Sequence, residues 1–375
     1  MRVAVVTETW SPAVNGVVTR LRHSVPELVA RGHEVLVLAP RPFSDPLPGA
    51  RLEAVASVSI PFIYGGHPWG LPLPRAFGLI EEFRPDVVHA VSPVLLGWAA
   101  VLVAERRSVP LVCSYHTHVA EYARFYGLRA AEEAIWAVVR RLHAAADVNM
   151  AASPAAGAEL AAHGIRLDLV WPGAVAESFF TALPSLSVRR LLSGRSFGSR
   201  PLALFVGRLA AEKQIERLRP LAEAGWSLAL IGDGPHEDAL RLTFAGLPVR
   251  FLGRRDADFV ARAMTSSDLF VFPSTTDTLG LVLLEAVAAG VPVAAAASPA
   301  SSNLLEGLPA ARLFEAGDGG SLMAAAGAAT AHGLSRAALQ AAARDRVLSW
   351  QAATDVVEAA YELAVRRRQA RRAAA

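Results

Sequence analysis

The segment 206-VGRLAAEK-213 sets an arginine and a lysine five residues apart just beyond an apolar run, and this lysine is the only one among the chain's 37 Lys and Arg residues. A compact ammonium and a planar guanidinium are not interchangeable, so a solitary lysine in an arginine-dominated chain points to a site that needs a point charge. Arg208 offers a fork of donors, and Gly207 allows close backbone approach; with Lys213 they form a candidate diphosphate clamp. The stretch 272-FPSTTDTLGLVLLEAVAAG-290 supplies a second half. It reads as a strand end, a polar loop over 273–278, and a helix from about Gly280 to Ala289. The start of a helix leaves amide N–H groups unpaired and attracts anions. Asp277 lies in the loop before it and Glu285 eight positions later. An anion site flanked by two hydroxyl-seeking carboxylates predicts a phosphorylated, polyhydroxylated ligand. The competing reading is a helix cap and a solvated surface charge.

Other turns follow strand-like runs. Gly232 in 231-IGDGP-235 makes a tight strand-to-helix turn, and in 251-FLGRRDAD-258 the backbone beside Leu252 could meet a nucleobase. Asp256 and Asp258 imitate a metal-binding pair, but acids favour helix N-termini, so they are expected to open a helix over 256–264 and no metal site is predicted. Nearer the N-terminus, 114-SYHTHVAEYARFYG-127 sets His116 and His118 just after a strand. A histidine there can move a proton or hydrogen-bond a sugar hydroxyl; a satisfied structural histidine is the alternative. The loop 11-SPAVNG-16, with Gly16 nearest the helix start, is a further turn where phosphate could approach.

The elements that must position these residues alternate in two halves. Strand-like runs at 2–7, 35–39, 86–91, 110–115, 147–152 and 168–171 are separated by helical runs such as 93–107 and 129–146. A polar stretch, 183-LPSLSVRRLLSGRSFGSRP-201, reads as linker or domain entry, after which the alternation restarts at 202–206, 227–231, 249–252, 269–272, 292–296 and 311–314. Continuous Val/Leu/Ile strands alternating with helices mean parallel sheets covered on both faces. The fold class expected is therefore α/β with two Rossmann-like domains, over 1–175 and 176–349, a C-terminal helix at about 350–375 packing back on the first. Ligands of such sheets bind beyond the carboxyl ends of the strands, which predicts a site in an inter-domain cleft. Neither half contains G-x-G-x-x-G or a P-loop, which argues against a nicotinamide enzyme or a P-loop NTPase.

Composition agrees. A chain of 375 residues exceeds what one core usually serves, and 53% hydrophobic with 19% charged residues suits buried sheets. The apolar run at the N-terminus is too short for a secretory signal and is interrupted by Glu8. The single cysteine, Cys113, excludes an internal disulfide. A cytoplasmic protein is expected, or one peripheral to the inner face of the membrane. The net charge of +3 gives no reason to expect nucleic acid as a partner. The basic run 366-RRRQARR-372 could touch anionic lipid, but is read as a frayed, solvated helix end.

Together, 11-SPAVNG-16, 115-YHT-117, 206-VGRLAAEK-213, 231-IGDGP-235, 251-FLG-253 and 277-DTLGLVLLE-285 resemble the family 4 retaining glycosyltransferases of GT-B architecture, and among them the bacterial GDP-mannose-dependent α-mannosyltransferases. The resemblance spans nearly the whole chain; its specific parts are the G-R-x4-K segment and the acid pair with seven residues between its members. It implies that Arg208 and Lys213 hold the donor diphosphate, that Asp277 contacts the sugar and Glu285 the ribose, and that amides around Leu279, Gly280 and Leu281 meet diphosphate or sugar. Gly16, Gly207, Gly232 and Leu252 would complete the donor site. His116 would contact the transferred sugar, with Asn15, Tyr115 and His118 on the acceptor side. The implied donor is GDP-mannose, a UDP-hexose being second, with no metal cofactor and with a lipid, glycan or small molecule as acceptor. Rival functions are a nucleotide-sugar epimerase or hydrolase on the same architecture, and a non-catalytic sugar-binding protein. Three departures from the family pattern stand out: Asp277 replaces the usual Glu, 173-GAVAESF-179 lacks the Asp of Gly-Val-Asp, and 294-AAAASPASSN-303 lacks Gly-Gly-Pro.

Overall fold

The computed structural model describes residues 1–13, 15–41, 46–59, 68–117, 130, 132–194 and 198–374. It divides into two compact units, Met1–Gly173 with Trp350–Ala375, and Ala174–Ser349.

In the first unit, apolar runs form β1 (Arg2–Thr7), β2 (Glu34–Pro40), β6 (Val87–Val91), β7 (Leu111–Tyr115) and β8 (Val148–Ala151). With β3 (Arg51–Val55) and β9 (Leu169–Val170) they make a parallel sheet ordered β3-β2-β1-β6-β7-β8-β9. Its strand order reverses between β1 and β6, the crevice where ligands of open parallel sheets bind. The edge strand β3, partly exposed and without a continuous apolar run, was not expected from the sequence, nor was the short antiparallel pair β4 (Ser57–Ser59) and β5 (Pro68–Gly70). The Gly16–Ala30 helix buries Val17, Val18, Leu21, Val25 and Leu28.

The C-terminal helix Trp350–Ala374 packs on that helix: Trp350 stacks on His23 at 4.5 Å, and Glu358 accepts from Arg31 at 2.8 Å. Its basic end corrects the expectation of a frayed, solvated terminus. Arg368 donates through Nε and Nη2 to Asp147 Oδ2 at 3.0 and 2.8 Å, Arg371 reaches Oδ1 at 3.1 Å, and Leu111 N–H donates to Oδ2 at 2.9 Å. Asp147 is fully buried, and a buried carboxylate persists only where cations and donors surround it. Arg367 likewise pairs with Asp168 at 2.8 Å.

The second unit contains β10 (Leu202–Val206), β11 (Ser227–Ile231), β12 (Val249–Phe251), β13 (Leu269–Phe272), β14 (Val293–Ala296) and β15 (Ala311–Phe314). They form a parallel sheet ordered β12-β11-β10-β13-β14-β15, whose order reverses between β10 and β13. The stretch 183–201, read as linker or domain entry, belongs to the second unit. It contains the Leu186–Ser193 helix, capped by Ser185 and burying Val188 and Leu192. Among the described residues, no helix is long and apolar enough to cross a membrane.

Candidate functional site

The sequence-selected residues of the second unit collect at its switch point. Beyond β10 the chain turns at Gly207, whose N–H donates to Ile231 O at 3.0 Å; beyond β11, Leu209 N–H donates to Asp233 O at 2.8 Å. The two loops thus lie backbone against backbone. A Cβ at Gly232 would stand 1.9 Å from Gly207 O, and one at Gly234 2.3 Å from Leu209 O, so these glycines are required by contact.

On this floor the chain makes a tight 3-10 turn, Ala211–Lys213. The turn buries Glu212 completely, where it pairs with Arg208 Nη2. It also brings Lys213 Nζ within 2.5 Å of Asp277 Oδ1, with both side chains largely buried. The loop after β13 is held to the same turn, since Thr276 Oγ1 and Ser274 Oγ donate to Glu212 O at 3.2 and 3.5 Å.

Asp277 does not cap the helix that follows. The Leu281–Ala288 helix starts from Gly280, in the left-handed conformation at φ 71° that favours glycine, with no side-chain cap and no acid in its first turn. Leu279, Gly280 and Leu281 are partly exposed there, which keeps the helix start suited to an anion. Glu285 lies further along the same helix, partly exposed yet enclosed enough that desolvation pushes its pKa up from 4.5 to about 8. Leu252 is buried, and Gly232 N–H donates to Gly253 O at 3.0 Å, joining the turns after β11 and β12. Asp256 caps the Ala257–Thr265 helix through Phe259 N–H at 2.7 Å. Among the described residues, no group of three or more His, Cys, Asp or Glu side chains could hold a metal ion.

In the first unit, Asn15 is occupied as a helix cap: Oδ1 accepts from Val17 and Val18 N–H at 3.0 Å each, and Nδ2 donates to Thr9 at 3.1 Å. Gly16, beside it, is exposed. Tyr115 has its ring in the core against Trp136 and His143, 5.9 and 6.3 Å between centroids. His118 lies outside the described residues.

His116 follows β7, buried with its ring edge-on to Trp171 at 4.9 Å. Burial first, then the charges of Arg20, His89 and His143, hold its pKa well below the ordinary 6.5, so the imidazole is neutral. Arg20 is a component the sequence did not reveal. Buried on the Gly16–Ala30 helix, it donates to the carbonyls of Trp171, Pro172 and Ala152 and stands 5.5 Å from the Trp171 ring.

Glu8 was also missed, having been read only as an interruption of the apolar run. Buried at the end of β1, it accepts from Val94 and Gly97 N–H at 2.8 and 2.9 Å through Oε1 and from Leu96 at 3.1 Å through Oε2. It therefore caps the Gly97–Arg107 helix from a neighbouring strand, across the switch point. Burial raises its pKa from 4.5 to about 7 against the opposing effect of those hydrogen bonds. An acid directly after β1, facing a helix start after β6, is the signal that could have identified it.

With this geometry in place, known proteins fall into a consistent group. Residues 14–176 match the profile of Glycosyltransferase Family 4, and residues 200–332 that of Glycosyl transferases group 1. The GDP-mannose-dependent alpha-mannosyltransferase of Mycobacterium tuberculosis (strain CDC 1551 / Oshkosh) is 36% identical over 383 residues, covering 100% of this chain and 99% of that protein. The protein of the same name from Mycolicibacterium smegmatis is 39% identical over 302 residues, 79% of each. Among solved structures, Anabaena HepE in complex with UDP is similar in fold, with a TM-score of 0.74 at 19% identity, covering 96% of this chain and 98% of that one.

Proposed function

The chain belongs to glycosyltransferase family 4 and is a glycosyltransferase of GT-B fold, and from that premise we propose that it carries a hexose from a nucleotide diphosphate sugar to an acceptor hydroxyl with retention of configuration. Mannose from GDP-mannose is the first donor, on the strength of the two mannosyltransferase relatives. The observation that carries the reading is the meeting of Lys213 with Asp277 at 2.5 Å, beside the Arg208–Glu212 pair and the start of the Leu281–Ala288 helix. Cations and amides gathered at one point suit a diphosphate whose charge grows as the sugar leaves, and such preorganised groups stabilise that charge without rearranging. With Lys213 able to exchange Asp277 for the diphosphate and the helix amides beside it, we propose transfer without a metal. The leaving phosphate takes the acceptor's proton on the face it vacates. His116, neutral and buried, is suited to hydrogen-bonding a sugar hydroxyl rather than to acting as a general acid.

A UDP-hexose is the second reading, favoured by the UDP held in the Anabaena neighbour of like fold. The test is a mass-spectrometric panel of GDP- and UDP-sugars, with lipid, glycan and small-molecule acceptors, in buffer with and without EDTA. Glycosylated acceptor from GDP-mannose in EDTA is expected. Isomerised donor, or free sugar alone, would replace transfer by epimerase or hydrolase activity.

A further inference from the structure

We propose that Glu212 is a positioning residue of the donor site, acting through Arg208 and through the loop after β13, an inference that rests on the nucleotide-sugar reading above. Glu212 is fully exclusive of solvent, and its carboxylate pairs with Arg208. A guanidinium is a rigid, planar fork, so a buried carboxylate on one of its nitrogens fixes the plane of the whole group. The backbone of Glu212 does separate work. Its carbonyl accepts from Thr276 at 3.2 Å and Ser274 at 3.5 Å, and both hydroxyl residues are buried. The next residue in each segment belongs to the other ion pair, Lys213 and Asp277. Glu212 therefore joins the two segments that carry both ion pairs.

The two pairs are not equivalent. Four ionised side chains, two of each sign, cancel before any donor arrives. An incoming diphosphate must compete with carboxylates for its cations. Asp277 has 18% of its side chain exposed and can turn to sugar hydroxyls, whereas Glu212 has none exposed and is tied at both ends. Lys213 is thus the cation that changes partner on donor binding, and Arg208 the cation held in place by Glu212. Misplacing a preorganised charge lowers the rate of the chemical step more than it weakens ground-state binding.

The test uses the full chain with Glu212→Gln, Arg208→Ala, the double variant and Thr276→Val. GDP and UDP are titrated by calorimetry, transfer kinetics are measured with the donor found active, and melting is followed for each variant. Glu212→Gln is expected to lower kcat at least tenfold while leaving KM for the donor within about threefold. Adding Glu212→Gln to Arg208→Ala should cost little more than Arg208→Ala alone, because the glutamate acts through that arginine. Thr276→Val, which loosens the tether without touching the ion pair, should lower kcat several-fold, and it serves if Glu212→Gln does not fold. Unchanged kcat in a folded Glu212→Gln, fully multiplicative losses in the double variant, or unchanged kcat in Thr276→Val when Glu212→Gln is unfolded would each overturn the positioning role. A wild-type chain that binds neither nucleotide and transfers nothing would instead overturn the donor reading, and the positioning role with it.

Discussion

The ammonium of Lys213 lies 2.5 Å from Oδ1 of Asp277, linking the loop after β10 to the loop after β13. The two residues are 64 apart in sequence, yet β10 and β13 are neighbours at the point where the strand order reverses. The contact joins the residue expected to hold diphosphate to the residue expected to hold sugar. Without a donor, each is the other's counter-ion.

Replacing either clamp cation should therefore sharply slow transfer, and Arg208→Ala should also cost stability because it leaves the buried Glu212 without that guanidinium. Lys213→Ala and Arg208→Ala are each expected to lose about 2–4 kcal/mol of transition-state stabilisation, on the order of thirty- to a thousandfold in rate. Lys213→Arg should recover only part, because a planar guanidinium cannot replace a compact ammonium. Steady-state kinetics on variants with native circular dichroism measure this. Turnover near wild type in either alanine variant would remove the clamp.

The C-terminal helix should matter for stability through one arginine more than the others. Asp147 is completely buried and Arg368 is 17% exposed, while Arg371 is 58% exposed. Arg368→Ala removes the more buried of the two cations on Asp147 and leaves that carboxylate with Arg371 and the Leu111 N–H, a cost of about 3 kcal/mol, whereas an exposed arm contributes about 1 kcal/mol or less. Urea denaturation should show Arg368→Ala strongly destabilised and Arg371→Ala nearly unchanged. Equal effects would mean that the helix end is held by something other than Asp147.

Legibility in the sequence followed distance along the chain. The β-strands around the switch points announce themselves as local apolar runs, and Arg208, Lys213, Asp277 and Glu285 stand out by type and spacing within two short segments. Glu8 and the C-terminal arginines were misread because their partners are remote: Glu8 meets amides 86 to 89 residues away, and Arg368 reaches Asp147 across 221. The Leu186–Ser193 helix was hidden for a different reason. Ser, Pro and Gly flank it, and only Val188 and Leu192 of its apolar residues turn into the core.

Two carboxyls give the protein a definite pH dependence. Glu8 is raised to about 7 and Glu285 to about 8, both chiefly by desolvation, from 4.5. At these two sites the folded chain binds more protons than the unfolded chain between about pH 4.5 and 8, so their own contribution to stability is full at the acid end of that window and falls as pH rises through it, while the histidines held below 6.5, His23, His89, His116 and His143, act in the opposite sense up to about pH 6.5. Thermal melting of Glu8→Gln and Glu285→Gln should each show a flatter fall toward pH 8 than wild type. Variants whose melting follows the wild type at every pH from 5 to 8 would contradict both shifts.

The acids in the loop and helix after β13 should fail differently when changed. Asp277→Asn keeps a hydrogen-bonding shape but removes the charge that answers Lys213, so it should spare binding of free nucleotide diphosphate and depress sugar transfer. Glu285→Gln should weaken binding of the free nucleotide itself, because a ribose contact is present with or without the sugar. A hydrogen bond to a charged group contributes roughly 1.5–3 kcal/mol, about ten- to a hundredfold in affinity. The raised pKa of Glu285 adds a signature of its own. If ribose hydroxyls are received by the carboxylate, binding below pH 8 must release a proton, so affinity in the wild type should rise from pH 6 to pH 8. In Glu285→Gln that rise should vanish, while in Asp277→Asn it should persist. Calorimetric titration of GDP and UDP at several pH values, in buffers of different ionisation enthalpy, reads both the affinity and the proton count. Loss of nucleotide binding in Asp277→Asn with unchanged binding in Glu285→Gln would exchange the two roles, and no change in either would return both acids to structural duty.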